Sequence, residues 1–260
     1  MSPAACLQDL VGYLDGYLRV AELPDAPNAH NGLQVENRGS IARIVAAVDA
    51  SLATIEGAAG GPRKTLLIVH HGLFWDGAAP VTDRRYRRLR ALLEADLALY
   101  SAHIPLDLHP EVGNNAVLAR RLGIQEQSRF GAYRDVPIGI AGELLDSLPR
   151  ERFLERVEAE LGLSAGAARL VPGGPASVRR VGVITGAAGD MIAAAGEAGV
   201  DTFVTGEGPA HSYFDAMELG LNVIYAGHYA TETVGVRALG EHVAGRFHLP
   251  WEFHDHPTGM

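Results

Sequence analysis

Two histidines stand side by side at the end of an apolar run in "IVHHGLFW", residues 68–75. Two more each precede a carboxylate by four residues: His103 before Asp107 in "SAHIPLD", and His228 before Glu232 in "GHYATE". Imidazole nitrogen and carboxylate oxygen together suit zinc, iron or manganese, whereas calcium and magnesium favour oxygen alone. Adjacent residues of a regular strand face opposite sides of a sheet, so His70 and His71 are placed to serve two neighbouring ions once the strand has ended. Two divalent ions repel one another, and a shared anion offsets that repulsion; Asp107 and Glu232 are placed to supply one. Cys6 is the single cysteine, which excludes an internal disulfide and a thiolate cluster, so a metal site here must be built from histidine and carboxylate.

Strands and helices must position these residues, and along the chain the two patterns alternate. "RIVAAVDA", "KTLLIVHH", "LALYSAH", "IGIAGEL", "RRVGVITG", "DTFVTGE" and "LNVIYAGH" read as strands. "RERFLERVEAELGL", "MIAAAGEAG" and "TETVGVRALGEHVAGRF" carry apolar residues at the spacing of three and four that marks helices. Such alternation predicts an α/β fold with mainly parallel sheets. Ligands of such sheets gather beyond the carboxyl ends of the strands, where His70, His71, His103, Asp107, His228 and Glu232 all fall. The runs "IVAAVDA", "LLIVHHG" and "LYSAHIPLD" recur in order as "VGVITGA", "TFVTGEG" and "IYAGHYATE". A divergent duplication is the reading: a first α/β repeat over residues 1–125 and a second over 126–260, whose last strand and helix complete the metal site.

The 260 residues, 47% apolar and 20% charged, suffice for a substantial core. No apolar stretch reaches the roughly 18 to 20 residues that span a bilayer, and "MSPAACLQDLVGYLDGYL" carries acids where a signal peptide carries bases, so a cytoplasmic protein is expected. A net charge of −9 argues against nonspecific nucleic-acid binding, which needs surplus cations.

At these residues the chain resembles the Nif-three-like dinuclear metal-centre proteins, a family also known as the type-two form of GTP cyclohydrolase I. The resemblance rests on "NGLQVE" (31–36), "HHGLFW" (70–75), "YSAHIPLDLHPEVGNNAVLARRLG" (100–123), "TGEGPAHS" (205–212) and "AGHYATE" (226–232), in the family's order. It implies that His70, His71, Asp107, His228 and Glu232 are the metal ligands. His70 and His228 would hold one ion, His71 and Asp107 the other, with Glu232 bridging. The resemblance also implies a three-layer α/β/α fold of two intertwined repeats, and a homohexameric ring with its metal sites facing a central cavity. Many relatives have proline where this chain has Gly72, and glycine there permits a looser turn.

Other residues carry weaker signals. The family pattern does not make His103 a direct ligand, so a supporting role or substrate contact is expected of it, with His211 as a second candidate proton carrier. Glu207 is read as an acid/base group or as the cap of the helix that follows it. "DRRYRRLR" (83–90) reads as a solvated helix face rather than a triphosphate collector. Asn31 and Gln34 either line a pocket or form a turn and a strand start.

Two functions of different class follow. In one, two divalent ions per chain activate water for hydrolysis of a small-molecule substrate, with opening of the purine imidazole ring of GTP and loss of formate as the activity the resemblance names. In the other, the chain binds or delivers metal, or acts as a ring-forming scaffold, without turnover.

Overall fold

An uninterrupted apolar run such as "LLIV" leaves no polar face, so the strand that carries it must be covered on both sides. In the computed structural model, which describes residues 4–61 and 64–260, every residue of the strand Thr65–His71 before His71 is buried. This strand is central in a five-stranded sheet, with Arg43–Asp49 and Ala98–Ser101 parallel to it on either side. Trp251–Phe253 extends the sheet in parallel beyond Arg43–Asp49, and Gly32–Val35 closes the other edge antiparallel. Val45, Ala47, Leu67, Val69 and Leu99 pack against Ile55 and Ala58 of the helix Leu52–Ala59 and Leu92 of the helix Asp83–Glu94. These elements form a first unit, residues up to Gly113 together with Gly235–His256.

Asn114–Val234 with Pro257–Met260 form the second unit, around a six-stranded sheet. Ser177–Val183, Thr202–Thr205 and Asn222–Tyr225 lie side by side and parallel, in chain order. Arg43–Asp49, Thr65–His71 and Ala98–Ser101 in the first unit, like these three in the second, are adjacent and parallel. The remaining strands of the second sheet pair antiparallel: Ile124–Tyr133 with Val136–Pro149, Val136–Pro149 with Ser177–Val183, and Arg169–Pro172 with Asn222–Tyr225. Arg134 and Asp135 join the first of these pairs with positive φ at both residues, 47° and 66°, as a two-residue hairpin turn requires. The protein is α/β, with mixed and parallel sheets. No helix among the described residues is long and apolar enough to cross a membrane.

Candidate metal-binding groups

The first unit gathers three imidazoles. The rings of His70 and His71 are 4.8 Å apart, those of His70 and His103 4.9 Å, and those of His71 and His103 5.6 Å. One nitrogen from each lies within 4.8 Å of the others. Every ring is held through Nδ1: His70 donates to the Ala102 carbonyl at 2.8 Å, His71 to Asp49 Oδ1 at 2.9 Å, and His103 to Asp25 Oδ1 at 2.8 Å. An acceptor on Nδ1 keeps the proton there and puts the lone pair on Nε2, the tautomer that a metal or an incoming proton needs. Buried Asp107 brings Oδ2 to 3.5 Å from His70 Nε2. Trp75 stands edge-on to His103 and His71, at 4.7 and 5.8 Å between ring centres.

Short polar contacts fix this group. His103 precedes the helical turn Ile104–Asp107, and Asp25 Oδ2 accepts from the Ile104 amide at 2.9 Å, capping the turn from outside it. Asn31 ties the same parts together, donating to Asp25 Oδ2 at 2.8 Å and accepting from the His103 amide at 2.7 Å. Burial raises the Asp25 pKa, but the hydrogen bond and charge of His103, with Asn31 and the Ala26 amide, outweigh it and hold the carboxyl below its ordinary range. Gln34 accepts from the Leu73 amide at 2.7 Å and donates to the carbonyls of Ala29 and His30 at 3.1 and 3.0 Å. A Cβ on Gly72 would fall 2.2 Å from the Gln34 amide nitrogen. The turn after the histidine pair is therefore closely packed, not loosened: Gly72 leaves room for the Gln34 side chain that clamps it. "NGLQVE" serves through Asn31 and Gln34 as a brace for the histidine loops.

The second unit carries its own group. His228 and Glu232 stand one turn apart at the start of the helix His228–Phe247, with His228 Nε2 3.1 Å from Glu232 Oε1. His228 Nδ1 meets Glu207 Oε1 at 2.7 Å. The hydrogen bond to Glu232, opposed by burial and reinforced by the charges of Glu232 and Glu207, pushes the His228 pKa up to about 9. Glu232 is buried, and its place depends on Gly186, which has φ +73° and on which a Cβ would lie 2.5 Å from Glu232 Oε1. Thr231 joins the two, its hydroxyl accepting from the Gly186 amide at 3.0 Å and donating to the His228 carbonyl at 2.9 Å. The glycine, threonine and glutamate around "GHYATE" thus have separate mechanical tasks.

Glu207 orients His228 rather than capping a helix. His211 is exposed at the start of the helix Ser212–Glu218, and its ring makes no hydrogen bond among the described residues. The basic helix faces solvent and its own loop: Arg84 and Arg85 pair with Asp76, and Arg90 with Glu94. Asp25 and Asp49 were not among the residues singled out by spacing. A signal existed for Asp49, which ends the strand adjacent to the histidine strand and pairs in register with His71. Asp25 lies in "PDAPNAHNG", which reads only as a turn.

The family model for Duf34/NIF3 (NGG1p interacting factor 3) matches residues 6–257. A protein of Deinococcus radiodurans named "GTP cyclohydrolase 1 type 2 homolog" is 45% identical over 256 residues, covering 97% of this chain and 94% of that one. A Halobacterium salinarum protein of the same name is 42% identical over 255 residues, 98% of this chain and 99% of its own. A crystal structure from Thermus thermophilus superposes with a TM-score of 0.88 at 39% identity, over 98% of this chain and all of that one. On this agreement of sequence and fold, the chain belongs to the Duf34/NIF3 family.

Proposed function

We propose that the protein is a dinuclear metal-dependent hydrolase whose ions, two per chain and of zinc, iron or manganese, are held by His70, His71, Asp107, His228 and Glu232. The observation that carries this reading is shared by both units: each clustered histidine is oriented through Nδ1 by a carbonyl or carboxylate, Ala102 for His70, Asp49 for His71 and Glu207 for His228. Second partners of this kind fix the tautomer and raise the basicity of metal-binding imidazoles. The donor set fits such ions, being nitrogen and oxygen throughout, with the one cysteine exposed elsewhere. When bound, the ions supply Lewis acidity and lower the pKa of water toward neutrality.

The chain's own residues handle the proton. Asp25 holds His103 with its lone pair on Nε2, which makes His103 the proton carrier beside His70 and His71. With GTP as substrate, the substrate class that the relatives' name suggests, water adds to the imidazole carbon between two ring nitrogens. The ring opens at that carbon, and formate leaves after a second hydrolysis. The chain works as a homohexameric ring in the cytoplasm. The test is an assay of metal-loaded protein with GTP, in which formate appears. Protein that keeps its metal yet releases no formate favours the metal-binding or scaffold reading instead.

A further inference from the structure

Within the second unit, a cavity of about 260 Å³ opens at the carboxyl end of the parallel strands Thr202–Thr205 and Asn222–Tyr225. Arg169, Glu207, Ser212, Tyr213 and Tyr225 line it, together with the backbone of residues 206–210. Crevices at this edge of a parallel sheet are where such folds bind ligands. The volume falls below the roughly 300 to 1,000 Å³ of sites that enclose a whole drug-sized molecule. It suits one flat ring with a substituent at the opening.

Its polar groups are asymmetric. Arg169, paired in register with Tyr225, is exposed, and no carboxylate meets its guanidinium among the described residues. Glu207 spends Oε1 on His228 and has no partner for Oε2 among the described residues. The Tyr225 hydroxyl and Ser212 Oγ are 2.5 Å apart, and Ser212 donates to the Pro209 carbonyl at 2.6 Å, so the Tyr225 hydroxyl is the donor to Ser212. That bond fixes the Tyr225 ring as a wall, and Tyr213 is 41% exposed. A cation, a carboxylate and two aromatic rings in one lining match a flat heterocycle with N–H groups on one edge and an anionic substituent.

We propose that this cavity is the specificity subsite for a nucleotide, with the base against Tyr213 and Tyr225, its N–H edge toward Glu207 and a phosphate at Arg169. The assignment rests on the hydrolase reading for its choice of a nucleotide. Because Glu207 also orients His228, the subsite would register the substrate against the metal-binding residues of the same unit.

Calorimetric titration of the full-length protein, both metal-loaded and metal-stripped, tests this with guanosine 5′-monophosphate, guanosine and inorganic phosphate as probes. The monophosphate should bind both forms, and Arg169→Ala should weaken it about tenfold or more while leaving guanosine binding and metal content unchanged. Tyr213→Ala should weaken monophosphate and guanosine alike. Equal affinity of Arg169→Ala and the parent for the monophosphate overturns the assignment, as does a parent that binds phosphate alone or none of the three. Binding to stripped protein does not depend on the metal, so loss of the hydrolase reading and loss of the subsite give different results.

Discussion

At the scale of single residues, each of these histidines has a carbonyl or carboxylate behind its ring, and the proposed metal site depends on those partners. Asp49 is 38% exposed on its side chain, so Asp49→Ala should leave the fold intact while freeing His71 to rotate. Metal affinity, measured by competition with a chromophoric chelator, should fall about 10 to 100-fold, and unchanged affinity would remove Asp49 from the account. His103→Ala should retain most of the metal and lose turnover, with elemental analysis and the formate assay read on the same preparation. In metal-free protein, the raised pKa of His228 has a signed consequence. With a folded value of about 9 against an unfolded one near 6.5, the protonated ring stabilises the fold fully below about pH 6.5. That contribution disappears as pH rises through 9, so the melting temperature of stripped protein should decline across this window, and Glu207→Gln should shrink the decline. The ring pairs were legible because they sit in short motifs. Asp49 and Asp25 were not, because they lie 22 and 78 residues from the rings they hold, and a lone carboxylate carries no spacing.

At the scale of elements, strand ends and first turns of helices do the positioning. Gly186 shows this most sharply, since its positive φ and its contact with Glu232 both exclude a side chain. Gly186→Ala should destabilise the protein by about 1–2 kcal/mol from left-handed backbone alone, seen in urea unfolding, with metal loss in addition because Glu232 is pushed aside. Stability and metal content equal to the parent would show that the turn has another conformation available. Strands such as Thr65–His71 and the helix Arg150–Leu161 were readable because apolar periodicity reports burial directly. The hairpin at Arg134 and Asp135 was not, since neither residue is the glycine or asparagine that usually marks positive φ. The helix Leu7–Leu18 does carry a readable stripe, Leu7, Leu10, Leu14 and Leu18, all buried, though its sequence first draws notice for its acids.

At the scale of the whole molecule, the chain enters its second unit at Asn114 and returns to the first at Gly235, partway along the helix His228–Phe247. Periodicity cannot announce such a return, because the helix keeps one pattern through it. The family, in contrast, was legible from five short motifs in order, and the match over residues 6–257 agrees. If the protein forms the proposed ring, light scattering should give six times the 27.6 kDa chain mass, and a monomer would refute the assembly. The central claim, that of the proposed function, is that His70, His71, Asp107, His228 and Glu232 hold two ions. Elemental analysis of anaerobically purified protein tests it most directly, on the parent and on Glu232→Ala shown to be folded by circular dichroism. The account predicts two zinc, iron or manganese ions per chain in the parent and the loss of at least one in the variant; a folded parent that takes up none, or a variant that keeps both, would contradict it.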